Sequence, residues 1–82
     1  MPNKNTKEEI IKSILKLVKD RNESGELVIK KNITHNVGND HRYNQGVLDV
    51  LEFMGFIKVE RLGTSDIVKI TDEGKKFLDK IS

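Results

Sequence analysis

A single β-hairpin set among helices constrains this chain more than any other feature. Ile57 and Val59, then Val68 and Ile70, mark two segments of alternating, β-branched character over residues 56–61 and 66–70. Leu62-Gly63-Thr64-Ser65 between them is a turn of hairpin length. Thr71 follows where a helix cap belongs, with Asp72 and Glu73 placed to favour the helix dipole. Phe77, Leu78 and Ile81 supply the apolar side of a short last helix. Gly74 inside it costs about 1 kcal/mol against alanine, so that helix is expected to depend on packing.

Ahead of the hairpin, the periodicity is helical. Thr6-Lys7-Glu8-Glu9 is a capping box, and Ile10, Ile11, Ile14, Leu15, Leu17 and Val18 recur behind it at helical spacing. This predicts a helix over 7–22, stopped at Ser24-Gly25. Leu27-Val28-Ile29 is either a short strand or an extended lead-in. Residues 30–37 form a short second helix burying Ile33 and Val37, ended by Gly38. Asn39-Asp40 offers a new cap, and Tyr43, Val47, Val50, Leu51 and Met54 define one face of a third helix over 41–54, ended by Gly55. Residues 1–5 are a polar start expected to fray.

The order is therefore helix, short strand, helix, helix, hairpin, helix, within one domain of 82 residues. It resembles the winged helix-turn-helix fold: α+β but mainly α, with a three-helix core, a two-stranded wing and a C-terminal helix. Three stretches carry the resemblance. Val37-Gly38-Asn39-Asp40 resembles the turn before a recognition helix. Val50-Leu51-Glu52-Phe53-Met54-Gly55-Phe56-Ile57 resembles the end of that helix and its passage into the wing. Ile70-Thr71-Asp72-Glu73-Gly74-Lys75-Lys76-Phe77-Leu78 resembles the wing's exit. Small transcription regulators of the MarR and PadR type are similar here. The second helix departs from them in being short and polar.

The resemblance implies double-stranded DNA as partner. The free face of the third helix begins with His41, Arg42, Asn44 and Gln45, side chains suited to base edges. Arginine bonds guanine O6 and N7; asparagine and glutamine pair with adenine N6 and N7. Gly46 leaves a gap that admits a close backbone. Phosphate contacts would come from Lys30 and Lys31 at the start of helix two and from Lys58, Arg61 and Lys69 in the wing, with Thr64 and Ser65 at its tip. Residues 28–47 set Lys30, Lys31 and Arg42 against Asp40, whereas Asp49 and Glu52 follow on the acidic half of helix three. The bland alternative makes Arg42, Asn44 and Gln45 ordinary solvated residues, and Tyr43 is expected in the core.

Composition trims the other classes. The chain has no cysteine, so disulfides, thiolate metal sites and cysteine nucleophiles drop out. His35, Asp40 and His41 alone resemble metal ligands, but they straddle a turn and lack a fourth partner, so no metal or other cofactor is expected. Carboxylates are scattered over charged faces, and no phosphate loop or nucleophile elbow occurs, which argues against an enzyme. No apolar run approaches the roughly 20 residues of a membrane span, and a cytoplasmic location is expected. The first helix, with Glu23 just after it, sets Glu8, Glu9, Asp20 and Glu23 against five bases, a poor match to a membrane-surface helix.

The aliphatic residues of helix one cover a wide arc, which predicts an apolar patch completed by the last helix. Ile10, Ile14, Leu17, Phe77 and Ile81 are the candidate face of a homodimer, which would read an inverted repeat. The net charge of +2 is permissive rather than demanding, and it leaves room for a winged helix that binds a protein instead of DNA.

Overall fold

In the computed structural model, the described residues are 7–36 and 40–82. The expectations for residues 1–5, the Thr6 cap and the Val37-Gly38-Asn39 part of the turn lie outside them, as does the side chain of His35. The elements run α1 (Lys7–Glu23), β1 (Val28–Ile29), α2 (Lys30–Asn36), α3 (His41–Phe53), β2 (Ile57–Leu62), β3 (Ser65–Ile70) and α4 (Asp72–Ile81).

Glycine and capping residues set these limits. Gly25 takes φ +79° after α1 and Gly55 takes φ +83° after α3. Behind each, an amide reaches back five residues: Glu26 N–H to the Arg21 carbonyl and Phe56 N–H to that of Leu51, both at 2.9 Å. These bonds satisfy carbonyls that the helix end would otherwise orphan. At the other ends, Asp40 caps α3 by accepting the Arg42 N–H at 2.8 Å, and Thr71 caps α4 by accepting that of Gly74 at 3.0 Å.

The three strands form one antiparallel sheet in the order β1-β3-β2. The hairpin register runs from Ile57↔Ile70 at its base to Leu62↔Ser65 at its tip. Val28↔Val68 and Ile29↔Ile67 add β1 to its free edge. Side chains alternate between sheet faces, so Val28, Val68 and Val59 form one row on the face that meets the helices. That face closes on Ile10, Ile14, Leu15 and Val18 of α1, Ile33 of α2, Leu48 and Leu51 of α3, and Leu78 of α4. Ile67 is buried on the opposite face, outside this cluster.

Two expectations about burial are corrected. Ile10 and Ile14 do not form a patch; both are fully inside the protomer's own core, because α1 is wrapped by the sheet and by α4. On α3 the buried line is Asn44, Leu48 and Leu51, with Val47 half-buried. Tyr43, expected in the core, is exposed, and so are Val50 and Met54. The apolar stripe is wider than the core contact, and the helix is rotated so that its edge at 43, 50 and 54 faces solvent.

Asn44 is 0% exposed on that buried line. Its Nδ2 donates to the Thr34 carbonyl at 3.1 Å. Thr34 is in the last turn of α2, whose carbonyls have no acceptor role inside the helix, so the amide ties α2 to α3. Polar burial here is offset by this hydrogen bond.

Candidate nucleic-acid interface

Strand pairing builds the site. Ile29↔Ile67 holds the end of β1 against β3, and α2 starts at the next residue, so Lys30 and Lys31 emerge beside the wing. The wing turns through Gly63 and Thr64; Gly63 has φ +64° and no other residue there has a positive φ, the pattern of a type II′ turn. Asn44 docks α3 on α2 and thereby turns Gln45 toward the same space. The result is a concavity of about 250 Å³ lined by Ile29, Lys30, Lys31, Thr34, Gln45, Thr64, Ser65 and Asp66.

Its charges differ in availability. Lys30 Nζ lies 3.3 Å from Asp49 Oδ1, and its side chain is only 19% exposed, so it braces α2 against α3. Lys31 is exposed and in no ion pair among the described residues. Arg42 projects from the first turn of α3, largely in solvent, with Nε 3.9 Å from the Asp40 carboxylate. An exposed pair of that length contributes little and yields readily to a better partner. His41 is also exposed, its Nδ1 4.0 Å from the same carboxylate.

The wing cations stand apart from this concavity. Lys58 and Lys69 are direct cross-strand neighbours one step from the hairpin base, about 13 Å along the strands from the tip. Glu60 holds both, at 3.5 Å and 3.1 Å. Lys69 first and Lys58 second hold its carboxyl below the usual carboxylate range. Arg61 is nearer the tip, but its Nη1 lies 3.5 Å from Asp66 Oδ1 and its Nε donates to the Gly63 carbonyl at 3.2 Å.

Of the residues expected to touch DNA, Lys30, Lys31, Gln45, Thr64 and Ser65 are therefore brought together. His41 and Arg42 are on the exposed start of α3 but do not line this concavity, Arg42 bordering instead the groove of Tyr43 and Val47, while Lys58 and Lys69 lie elsewhere. Asn44 is withdrawn from the surface and cannot meet a base edge. The expected dimer face fares likewise: with Ile10 and Ile14 in the core, only the half-buried Leu17, Phe77 and Ile81 remain of it. The sequence reading missed Thr34, which is buried under the concavity and donates Oγ1 to the Lys31 carbonyl at 2.9 Å. It also put Val50 and Met54 on the inward face of the third helix, whereas they are 55% and 57% exposed.

A helix pair pinned by the Asn44–Thr34 hydrogen bond, a third helix behind it and a hairpin flanking the second of the pair define a winged-helix domain. The chain belongs to the family described as the DUF6293 C-terminal winged helix domain, whose model matches residues 2–81. It is similar in structure to AF1382 from Archaeoglobus fulgidus, with a TM-score of 0.77 and 25% sequence identity over 93% of this chain and 82% of that one. No curated protein matches it. No helix among the described residues is long and apolar enough to cross a membrane.

Proposed function

We propose that this winged-helix domain binds double-stranded DNA and acts as a small transcription regulator of the MarR and PadR type, without catalytic activity. The observation that carries the reading is the convergence of Lys31, Gln45, Thr64 and Ser65 on one concave face between α2, α3 and the wing tip. Arg42 and Gln45 are three residues apart and therefore neighbours on the exposed surface of α3. They supply base contacts in the major groove, while Lys31 and the wing-tip hydroxyls hold phosphates. The expected inverted repeat rests on a dimer through α1 and α4, and the burial of Ile10 and Ile14 leaves Leu17, Phe77 and Ile81 as its candidate face.

Fluorescence anisotropy with labelled duplex at rising salt tests the reading. Binding gives a linear fall of log affinity with log salt, with a slope near −0.9 for each phosphate contacted. Lys31→Ala flattens that slope by about 1 on any duplex, and Arg42→Ala costs about 1–3 kcal/mol on the preferred site alone. Absence of duplex binding at low salt refutes it.

A second reading has its own observation. Lys30, Lys58, Lys69 and Arg61 are already paired with carboxylates, and the outer face of α3 exposes Tyr43, Val50, Phe53 and Met54. These features favour a protein partner on α3. Absence of duplex binding at low salt would favour it over the first reading.

A further inference from the structure

The order β1-β3-β2 leaves one side of β2 without a neighbouring strand. The two-residue turn at Gly63 and Thr64 makes Leu62↔Ser65 a hydrogen-bonded pair, and bonded and unbonded pairs alternate from there. The Thr71 N–H meeting the Phe56 carbonyl at 3.1 Å keeps the same phase at the hairpin base. The amides and carbonyls of Ile57, Val59 and Arg61 therefore point away from β3, and among the described residues they enter no other backbone hydrogen bond. An open row of this kind is a template for another strand unless proline, a bulge or a covering element blunts it. β2 contains no proline, and its register is unbroken from Ile57 to Leu62.

Charge decides which strand fits. Lys58 and Glu60 share the face of β2 turned away from the helices, with side chains 68% and 43% exposed. An antiparallel copy of β2 must set outward groups at 57, 59 and 61 against outward groups, so pairings that keep most of the strand are centred on residue 58, 59 or 60. Centring on 58 sets Lys58 against Lys58, and centring on 60 sets Glu60 against Glu60. Centring on Val59 sets Lys58 of each copy against Glu60 of the other, twice over. Both contacts then fall at non-hydrogen-bonded positions, where opposed Cα atoms are about 4.5 Å apart and side chains lie closest. Unlike charges directly opposed stabilise a strand pair and like charges destabilise it, so one register is selected. Glu60 already draws Lys58 and Lys69 of its own chain to 3.5 and 3.1 Å, and its exposed side admits a third ammonium. The two-fold axis beside Val59 makes the contact isologous, residue i meeting j and j meeting i.

We propose that β2 is a self-association edge, paired antiparallel about Val59 with β2 of a second copy, with Lys58 and Glu60 of each copy bonded to Glu60 and Lys58 of the other. The two sheets then run on as one. The wing tip at Thr64 and Ser65 lies beyond the paired residues, and the pairing is independent of whether the concavity takes DNA.

Sedimentation equilibrium of the full chain without nucleic acid, from micromolar to millimolar concentration, tests it. A monomer–dimer equilibrium is expected. Lys58→Glu and Glu60→Lys each raise the dissociation constant about tenfold, because each places like charges together twice. An equimolar mixture of the two single variants associates more tightly than either alone, since every opposed pair in the mixed dimer is unlike, and the double reversal restores association to within a few-fold of the parent. Arg61→Pro removes an outward N–H from each copy, leaves the inner ladder intact and weakens association to a similar extent. Far-ultraviolet circular dichroism at low concentration should show the parent fold in every variant. A chain that stays monomeric throughout overturns the proposal. So does a dimer indifferent to both reversals, or a mixture no tighter than its components. Loss of association on Leu17→Asp or Phe53→Asp, with none on the reversals, overturns it in favour of a helical face.

Discussion

Gly46 and Gly74 both lie inside helices, and replacing each by alanine should move stability in opposite directions. On propensity alone both changes gain about 1 kcal/mol, because alanine loses less backbone entropy in a helix. Around Gly46, a new Cβ meets nothing within 4 Å. Around Gly74, it falls on the Phe56 carbonyl oxygen, 2.9 Å from Ile70 Cγ1 and 3.0 Å from the Phe56 carbonyl carbon. The obstruction is backbone, so no side-chain rotation relieves it. The first turn of α4 would have to retreat by about 1 Å or more to regain ordinary contact distances. That turn is fastened there by three bonds: Thr71 N–H to the Phe56 carbonyl at 3.1 Å, the Thr71 hydroxyl to the Gly55 carbonyl at 2.6 Å, and Gly74 N–H to the Thr71 hydroxyl at 3.0 Å.

Overpacking of this kind costs about 1–3 kcal/mol. Damage to the cap adds about 1 kcal/mol, and the propensity gain offsets about as much. The net for Gly74→Ala is therefore a loss of about 1–3 kcal/mol, or roughly 5–20 °C in Tm for a domain of this size. Gly46→Ala should gain about 0.4–1 kcal/mol. Urea and thermal unfolding followed by circular dichroism at 222 nm, at low protein concentration, measure both. Gly74→Ala as stable as the parent would refute the reasoning, because the close approach of α4 to Phe56 would then not govern that position.

Asn44→Ala should cost about 1–3 kcal/mol by leaving the buried Thr34 carbonyl without its donor; an unchanged melt with altered duplex preference would instead make Asn44 a reader. Glu60, with its pKa depressed by Lys69 and Lys58, stabilises the hairpin above the unfolded carboxylate value, and that contribution fades as pH falls through the folded value. Glu60→Gln should remove this part of the acid dependence, and equal acid profiles for the two proteins would contradict the pairing.

The sequence by itself determined the elements and their ends. Gly25 and Gly55 stop helices because only glycine adopts a positive φ cheaply, and Asp40 and Thr71 start them because short polar side chains satisfy the first free amides. Alternating β-branched residues around Gly63 made the hairpin legible for the same local reason. Tertiary structure decided what no local rule encodes. The pairing of β1 with β3 brings Lys30 and Lys31 to the wing tip, and it joins residues almost 40 positions apart in the chain. The rotation of α3 buries Asn44 and exposes Tyr43, because a stripe wider than the core leaves the helix several apolar faces to choose from, and the Thr34 carbonyl favours the one with an amide donor. Gly74 reads as a weak point in a helix until Phe56 is seen lying against it. Periodicity reports which residues can share a face; only packing against the rest of the chain selects which face is buried.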